Sequence, residues 1–223
     1  MASRIDKVDG LVVESTGPES GLPVLFGHSL LFHRRMYDAQ VAELSRDFRC
    51  ITLDFRGHGD SAMPPRGFHM TDQAEDYRKV MDHFGIARAA VVGLSMGGMA
   101  AMHLAVAHPS RVAGLVLLNT SADPEPAVAR AKDMALAVMA RMFGVNAFIL
   151  RQVAPLMFGE TFRAASPDVV EGWMQQLTKL DRTALYRAVT MVMSRPAVPR
   201  LGDIRAPTSV SYTHLRAHET VLD

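Results

Sequence analysis

The sequence predicts an α/β fold, a mostly parallel sheet with helices on both faces. Two observations carry this. Up to Asn119 the chain holds short apolar runs without polar alternation, the pattern of strands buried on both faces. Between those runs lie segments with helical spacing of apolar residues, so strand and helix alternate along the chain. Composition agrees: of 223 residues, 48% are hydrophobic and 21% charged. That suits one large domain, or one domain with an inserted subdomain.

The elements follow in order. Leu11–Ser15 is a short strand candidate, and Val24–Phe26, ending at Gly27, is a second. Met36–Leu44 has apolar positions near helical spacing. Cys50–Leu53 is the next strand and ends in Asp54 and a glycine-rich turn. Thr71, followed by Gln73, Ala74, Tyr77, Val80, Met81 and Phe84, reads as a capped amphipathic helix stopping at Gly85. Ala89–Val92 is a buried strand, Met96–Ala107 an apolar helix ending before His108-Pro109, and Val112–Leu118 a further buried strand.

The character then changes. Asp123-Pro124-Glu125-Pro126 is a breaker cluster. From Ala127 to Ser194 the pattern predicts only helices, over Val128–Phe143, Asn146–Leu156, Pro167–Lys179 and Arg182–Met193. Many of the 15 methionines fall here. The organisation expected is a core over residues 1–123, a helical insertion over 124–198 and a return to the core at 199–208.

Charge and cysteine content exclude several classes. Lys plus Arg (24) balances Asp plus Glu (23), for a net charge of +1. Nothing in that balance directs the chain to nucleic acid or a membrane surface. No apolar run reaches the roughly 18 residues of a spanning helix. The opening MASRIDKVDG lacks an apolar signal core. Cys50 is the single cysteine, which excludes an internal disulfide and a cysteine-based metal site and fits a reducing cytoplasm. A cytoplasmic protein is expected, with no metal or cofactor and no nucleic-acid or membrane partner.

One motif carries chemistry. Gly93-Leu94-Ser95-Met96-Gly97 matches G-x-S-x-G, directly after a buried strand and at the start of an apolar helix. That context is what a nucleophile elbow requires. The glycines let the chain turn sharply and lift Ser95 Oγ above the sheet edge. The helix N-terminus behind the serine favours developing negative charge, and the Met96 N–H is one candidate oxyanion donor. The loop after Val24–Phe26 reads Gly27-His28-Ser29-Leu30, and its Leu30 N–H is the candidate second donor. His28 is expected to hold that loop by hydrogen bonds rather than act as a base. In Asp54-Phe55-Arg56-Gly57-His58-Gly59-Asp60-Ser61 the expected role is a fixed turn, with Asp54 and Arg56 hydrogen-bonding to backbone and His58 not catalytic.

These motifs, in this order and spacing, resemble the α/β-hydrolase family over roughly residues 10–208. Within it they are similar to the esterase and lactonase branch that includes 3-oxoadipate enol-lactonases, whose oxyanion loop FGHSLLFHRRMYDAQ resembles. The resemblance implies an α/β-hydrolase fold in which 124–198 is a cap over the serine. It implies a serine hydrolase of a small carboxylic ester or lactone, working through an acyl-enzyme, with a triad in the order Ser…Asp…His. C–C bond hydrolysis, a haloperoxidase-like reaction and a non-catalytic binding module remain alternatives. Asp123 is a fallback acid and more simply a helix or turn cap; His103 and His108 read as helix residues.

The acid and the histidine implied by the resemblance belong after Thr208. There the chain reads SVSYTHLRAHETVLD, without strand or helix periodicity, and it includes His214 and His218. Val210–Thr220 also matches one reading frame of a transposase adapter used in sequencing libraries. The expectation is therefore that native sequence stops near Thr208 and that 209–223 is read-through. It follows that the last core strands are missing, the edge of Val112–Leu118 is bare, and the chain as written is inactive.

Overall fold

A computed structural model describes residues 3–65 and 68–212. Strands β1 (Ser3–Val8) and β2 (Leu11–Thr16) form a hairpin closed by Asp9 and Gly10, both at positive φ. Asp-Gly is the dipeptide that such a two-residue turn favours. The remaining strands are β3 (Leu22–Gly27), β4 (Phe48–Leu53), β5 (Ala89–Leu94), β6 (Val112–Leu118) and β7 (Thr208–Ser211). Their order across the sheet is β1-β2-β4-β3-β5-β6-β7. β1, β2 and β4 pair antiparallel, and every pairing from β4 to β7 through β3 is parallel.

The topology explains where the helices go. From β3 the chain passes through α1 (Asp38–Leu44) to β4 on one side. It then returns past β3 through α2 (Met70–His83) to β5, and continues through α3 (Met96–Ala107) to β6. Right-handed crossovers in opposite directions place α1 on one face and α2 and α3 on the other. α2 and α3 pack against each other accordingly. The direction reverses at β3 and β5, and in such sheets the crevice at the carboxyl ends of the reversal strands is where ligands sit.

Burial follows the sequence pattern. Leu25, Phe26, Cys50, Ile51, Leu53, Val91 and Leu115 are closed from solvent. α2 contributes Tyr77, Val80 and Met81, while α3 is buried from Met96 to Ala105, as expected of a helix apolar all round.

Three expectations are corrected. The helix expected over Met36–Leu44 opens as a 3₁₀ turn, Arg34–Tyr37. Thr71 does not cap α2: the helix begins at Met70 after His69, whose N–H donates to the Asp72 carboxylate at 2.8 Å. The edge of β6 is not bare. β7 pairs with it from Leu115 to Leu118, and the Leu115 N–H donates to the Pro207 carbonyl at 2.9 Å. Ladder bonds need only backbone, so the polar run Thr208–Ser211 can pair although no apolar alternation announces it. The ladder runs through Thr208, the point where native sequence was expected to stop. Residues 213–223, with His214 and His218, lie outside the described residues.

The stretches up to Pro124 and from Arg195 form one compact unit; Glu125–Ser194 forms another. The second is all helical: α4 (Ala127–Phe143), α5 (Ala147–Met157), α6 (Glu160–Ala165), α7 (Pro167–Thr178) and α8 (Arg182–Met193). Asn146 caps α5 by accepting from the N–H groups of Phe148 and Ile149, and Asp181 caps α8 by accepting from Ala184. α4 packs on α8, burying Ala137 and Ala140 with Ala184, Leu185 and Ala188. Of the methionines here, Met174, Met191 and Met193 are buried, whereas Met142 is exposed.

Candidate active site

Register alone brings the two loops together. Gly27 at the end of β3 pairs with Gly93 near the end of β5. The chain leaving β3 carries Leu30, and the chain leaving β5 carries Ser95.

Ser95 sits at φ 48°, ψ −111°, a region that residues with a Cβ avoid. Such a conformation costs on the order of 1–3 kcal/mol and persists only where neighbours enforce it. The neighbours are identifiable. The Ser95 N–H donates to the Leu118 carbonyl at 2.9 Å. The Ser95 carbonyl accepts from the Met99 N–H at 3.0 Å and from Thr120 Oγ1 at 2.8 Å. Tyr77 Oη donates to the Gly97 carbonyl at 3.1 Å.

The glycines are there because nothing larger fits. A Cβ on Gly93 would strike the backbone of Gly97 and Gly98, and one on Gly97 would strike the Gly27 carbonyl. A Cβ on Gly27 would strike the Tyr77 ring and hydroxyl. β3, β5 and α3 therefore meet backbone to backbone beneath the serine. Met96 is fully buried, with Gln73 Nε2 3.7 Å from its sulfur.

The Leu30 loop is equally fixed. The Phe32 N–H donates to the Ser29 carbonyl at 3.1 Å, and Leu31 takes φ 68°. His28 is fully buried: its Nδ1 lies 2.8 Å from the Ser29 carbonyl, and its Nε2 accepts from the Phe55 N–H at 3.0 Å. Those partners assign the tautomer, with the proton on Nδ1. Burial, and then the neighbouring His58, hold the ring well below its ordinary pKa. Both nitrogens are engaged, so His28 has none left for a substrate. The N–H groups of Leu30 and Met96 donate to no acceptor among the described residues.

The glycine-rich turn is architectural. The fully buried Asp54 carboxylate accepts from the Arg34 N–H at 2.6 Å, the Asp60 N–H at 2.9 Å and the Arg34 guanidinium. Arg56 pairs with Asp76, at 2.5 and 2.7 Å, and reaches the Asp72 carbonyl. His58 is buried beside His28, with ring centroids 5.0 Å apart, and burial pushes its pKa down to about 4.

The other candidates lie elsewhere. His103 is buried in α3, and His108 Nε2 meets Glu75 at 2.5 Å. Asp123 is exposed; its N–H donates to Ser121 Oγ, and Pro126, not Asp123, precedes α4. Among the described residues no side chain hydrogen-bonds Ser95 Oγ, and no three His, Cys, Asp or Glu side chains gather as a metal site. Nor is any helix there long and apolar enough to cross a membrane. Sequence reasoning missed Thr120, which a small polar residue just past a buried strand could have signalled, and the hydroxyl roles of Tyr77 and Tyr37, which donates to the Gly27 carbonyl at 3.0 Å.

A buried strand, a strained serine and a helix start at the sheet's reversal define the α/β-hydrolase architecture. The chain belongs to the alpha/beta hydrolase fold family, which it matches over residues 22–167. It is 34% identical over 149 residues to a Caulobacter segnis protein named "Putative carbamate hydrolase RutD", covering 65% of this chain and 55% of that one. Among solved structures, it is similar to a thermophilic esterase from Thermogutta terrifontis, with 30% identity, TM-score 0.83, and 95% and 80% of the two chains covered. It is also similar to the enol-lactonase from Burkholderia xenovorans, at 27% identity and TM-score 0.82, covering 93% and 80%. The chain spans about half the length of the curated relatives it matches.

Proposed function

We propose that this protein is a serine hydrolase of small carboxylic esters or lactones that works through an acyl-enzyme. The observation that carries the reading is the conformation of Ser95 at the start of α3, held at positive φ by three hydrogen bonds to its N–H and carbonyl. Ser95 Oγ attacks the substrate carbonyl, the N–H groups of Leu30 and Met96 receive the oxyanion, and Gly93 and Gly97 admit the turn. The bond to the leaving oxygen breaks, and water then releases the acid. No cofactor enters this scheme.

The general base and its acid partner are taken to come from outside the described residues, after β7, as the resemblance implies. His28 and His108 hydrogen-bond elsewhere, and His58 and His103 are buried. On this reading the chain as written turns over poorly. The test is hydrolysis of p-nitrophenyl acetate, a small lactone and an aryl carbamate by this chain and by one extended to the relatives' length. Turnover is expected from the extended chain, with kcat falling on the order of 10⁴-fold or more in Ser95→Ala. An extended chain that hydrolyses nothing and is not labelled at Ser95 by a fluorophosphonate would favour a binding module. Full turnover by the 223-residue chain would refute the missing base.

A further inference from the structure

A trans peptide is planar, with the carbonyl of one residue and the N–H of the next pointing in opposite directions. Whatever holds the Ser95 carbonyl therefore aims the Met96 N–H. Two donors hold it: the Met99 N–H at 3.0 Å, which belongs to α3, and Thr120 Oγ1 at 2.8 Å, which does not. A carbonyl only accepts, so the Thr120 hydroxyl must be the donor.

Thr120 is itself fixed. It follows Asn119, which sits at φ 42° with its N–H on the Ser211 carbonyl at 2.8 Å. Its own carbonyl accepts from Tyr212 Oη. Its side chain is buried against Gly98, where a Cβ would come within 2.7–2.9 Å of its Cγ2, Cβ and Oγ1. Gly98, outside the G-x-S-x-G pattern, is thus the residue that admits Thr120 to the elbow.

We propose that Thr120 is a positioning residue that sets the direction of the oxyanion donor at Met96. The inference rests on the reading of Ser95 as nucleophile. Without the hydroxyl, the Ser95 carbonyl keeps one partner on a strained backbone. The 95–96 peptide is then free to turn, and its N–H leaves the line of the developing charge. A donor out of line acts in the transition state, so the loss falls on kcat rather than KM.

The test, made in the chain extended to the relatives' length, compares Thr120→Val, of nearly the same shape but without a donor, with Thr120→Ser, which keeps it. Thr120→Ala repeats the loss without placing a methyl beside the carbonyl, should the valine variant not fold. The readouts are the rate of fluorophosphonate attachment to Ser95, kcat and KM for p-nitrophenyl acetate, and a crystal structure of each variant. Expected for the valine and alanine variants are a labelling rate and kcat about tenfold lower, an unchanged KM and a turned Ser95 carbonyl, with wild-type values for Thr120→Ser. A carbonyl that stays in place in both donor-less variants, or a serine variant as impaired as they are, overturns the proposal. Wild-type protein that neither labels nor turns over would instead overturn the nucleophile reading, while the crystal structures still decide what Thr120 holds.

Discussion

At Gly93 the nearest atoms to an added methyl are the Gly97 and Gly98 backbone of α3. Backbone inside a packed helix cannot step aside, so the turn must open or the strand must slide. Gly93→Ala should lower stability by about 2–3 kcal/mol or more in a urea titration and abolish labelling at Ser95. Gly172, inside α7 with open space around it, is the contrast: Gly172→Ala should raise stability by up to ~1 kcal/mol. Equal effects at the two sites would show that space beneath the serine is not what selects glycine there. The same scale shows what the residues did not announce. His28 was expected to hold its loop, and its partners carry that out: Nδ1 on the Ser29 carbonyl pins the peptide whose far side is the Leu30 N–H. Thr120 plays the matching part for Met96 from just past β6, 25 residues along the chain from Ser95, and only the fold reveals that proximity.

The elements read most directly are those whose side chains make their own case. α3 and β6 begin and end where apolar continuity and the breakers at His108-Pro109 and Asn119 place them. β1 was missed because SRIDKV is an edge strand, polar on its open face and made a strand only by pairing with β2. α6 was missed because six residues carry too little periodicity. β7 was missed because ladder bonds ignore side chains. In the turn after β4 the glycines were visible, but the central partner was not: Arg34, buried on the 3₁₀ turn, meets Asp54 and Asp60, with Glu14 at 3.5 Å. The turn therefore depends on an ion pair formed across 20 residues. Asp54→Asn takes away the deepest carboxylate while leaving the guanidinium buried. A loss of about 3 kcal/mol is expected from thermal or urea unfolding. A loss under 1 kcal/mol would mean that Asp60 and Glu14 suffice.

Across the whole molecule the titrating groups are unevenly placed. Nine histidines occur in the chain, and none falls in Glu125–Ser194. Three of those in the sheet unit are buried and hard to protonate. Burial first, then His58, holds His28 well below its ordinary pKa; burial takes His58 to about 4; burial and then Arg195 lower His103. In each case the folded pKa lies below the unfolded value of about 6.5. Above pH 7 both states are neutral and nothing is lost. As pH falls through 6.5 the unfolded chain binds protons that the folded chain refuses, so stability drops until the folded pKa is reached. Each group contributes a slope of up to about 1.4 kcal/mol per pH unit, and for His58 the window closes near pH 4. The urea midpoint of the sheet unit, followed by hydrogen exchange of β5 and β6 amides, should therefore fall from pH 7 to pH 5, and His58→Gln should flatten that fall. Trp173, the single tryptophan, lies in α7 and reports the helical unit separately. A transition followed by its fluorescence has no histidine of its own to drive it, so its midpoint should move with pH only as far as the sheet unit carries it. If the sheet amides keep their midpoint at pH 5, the buried rings are gaining protons without cost, and the fixed tautomer assigned to His28 is wrong.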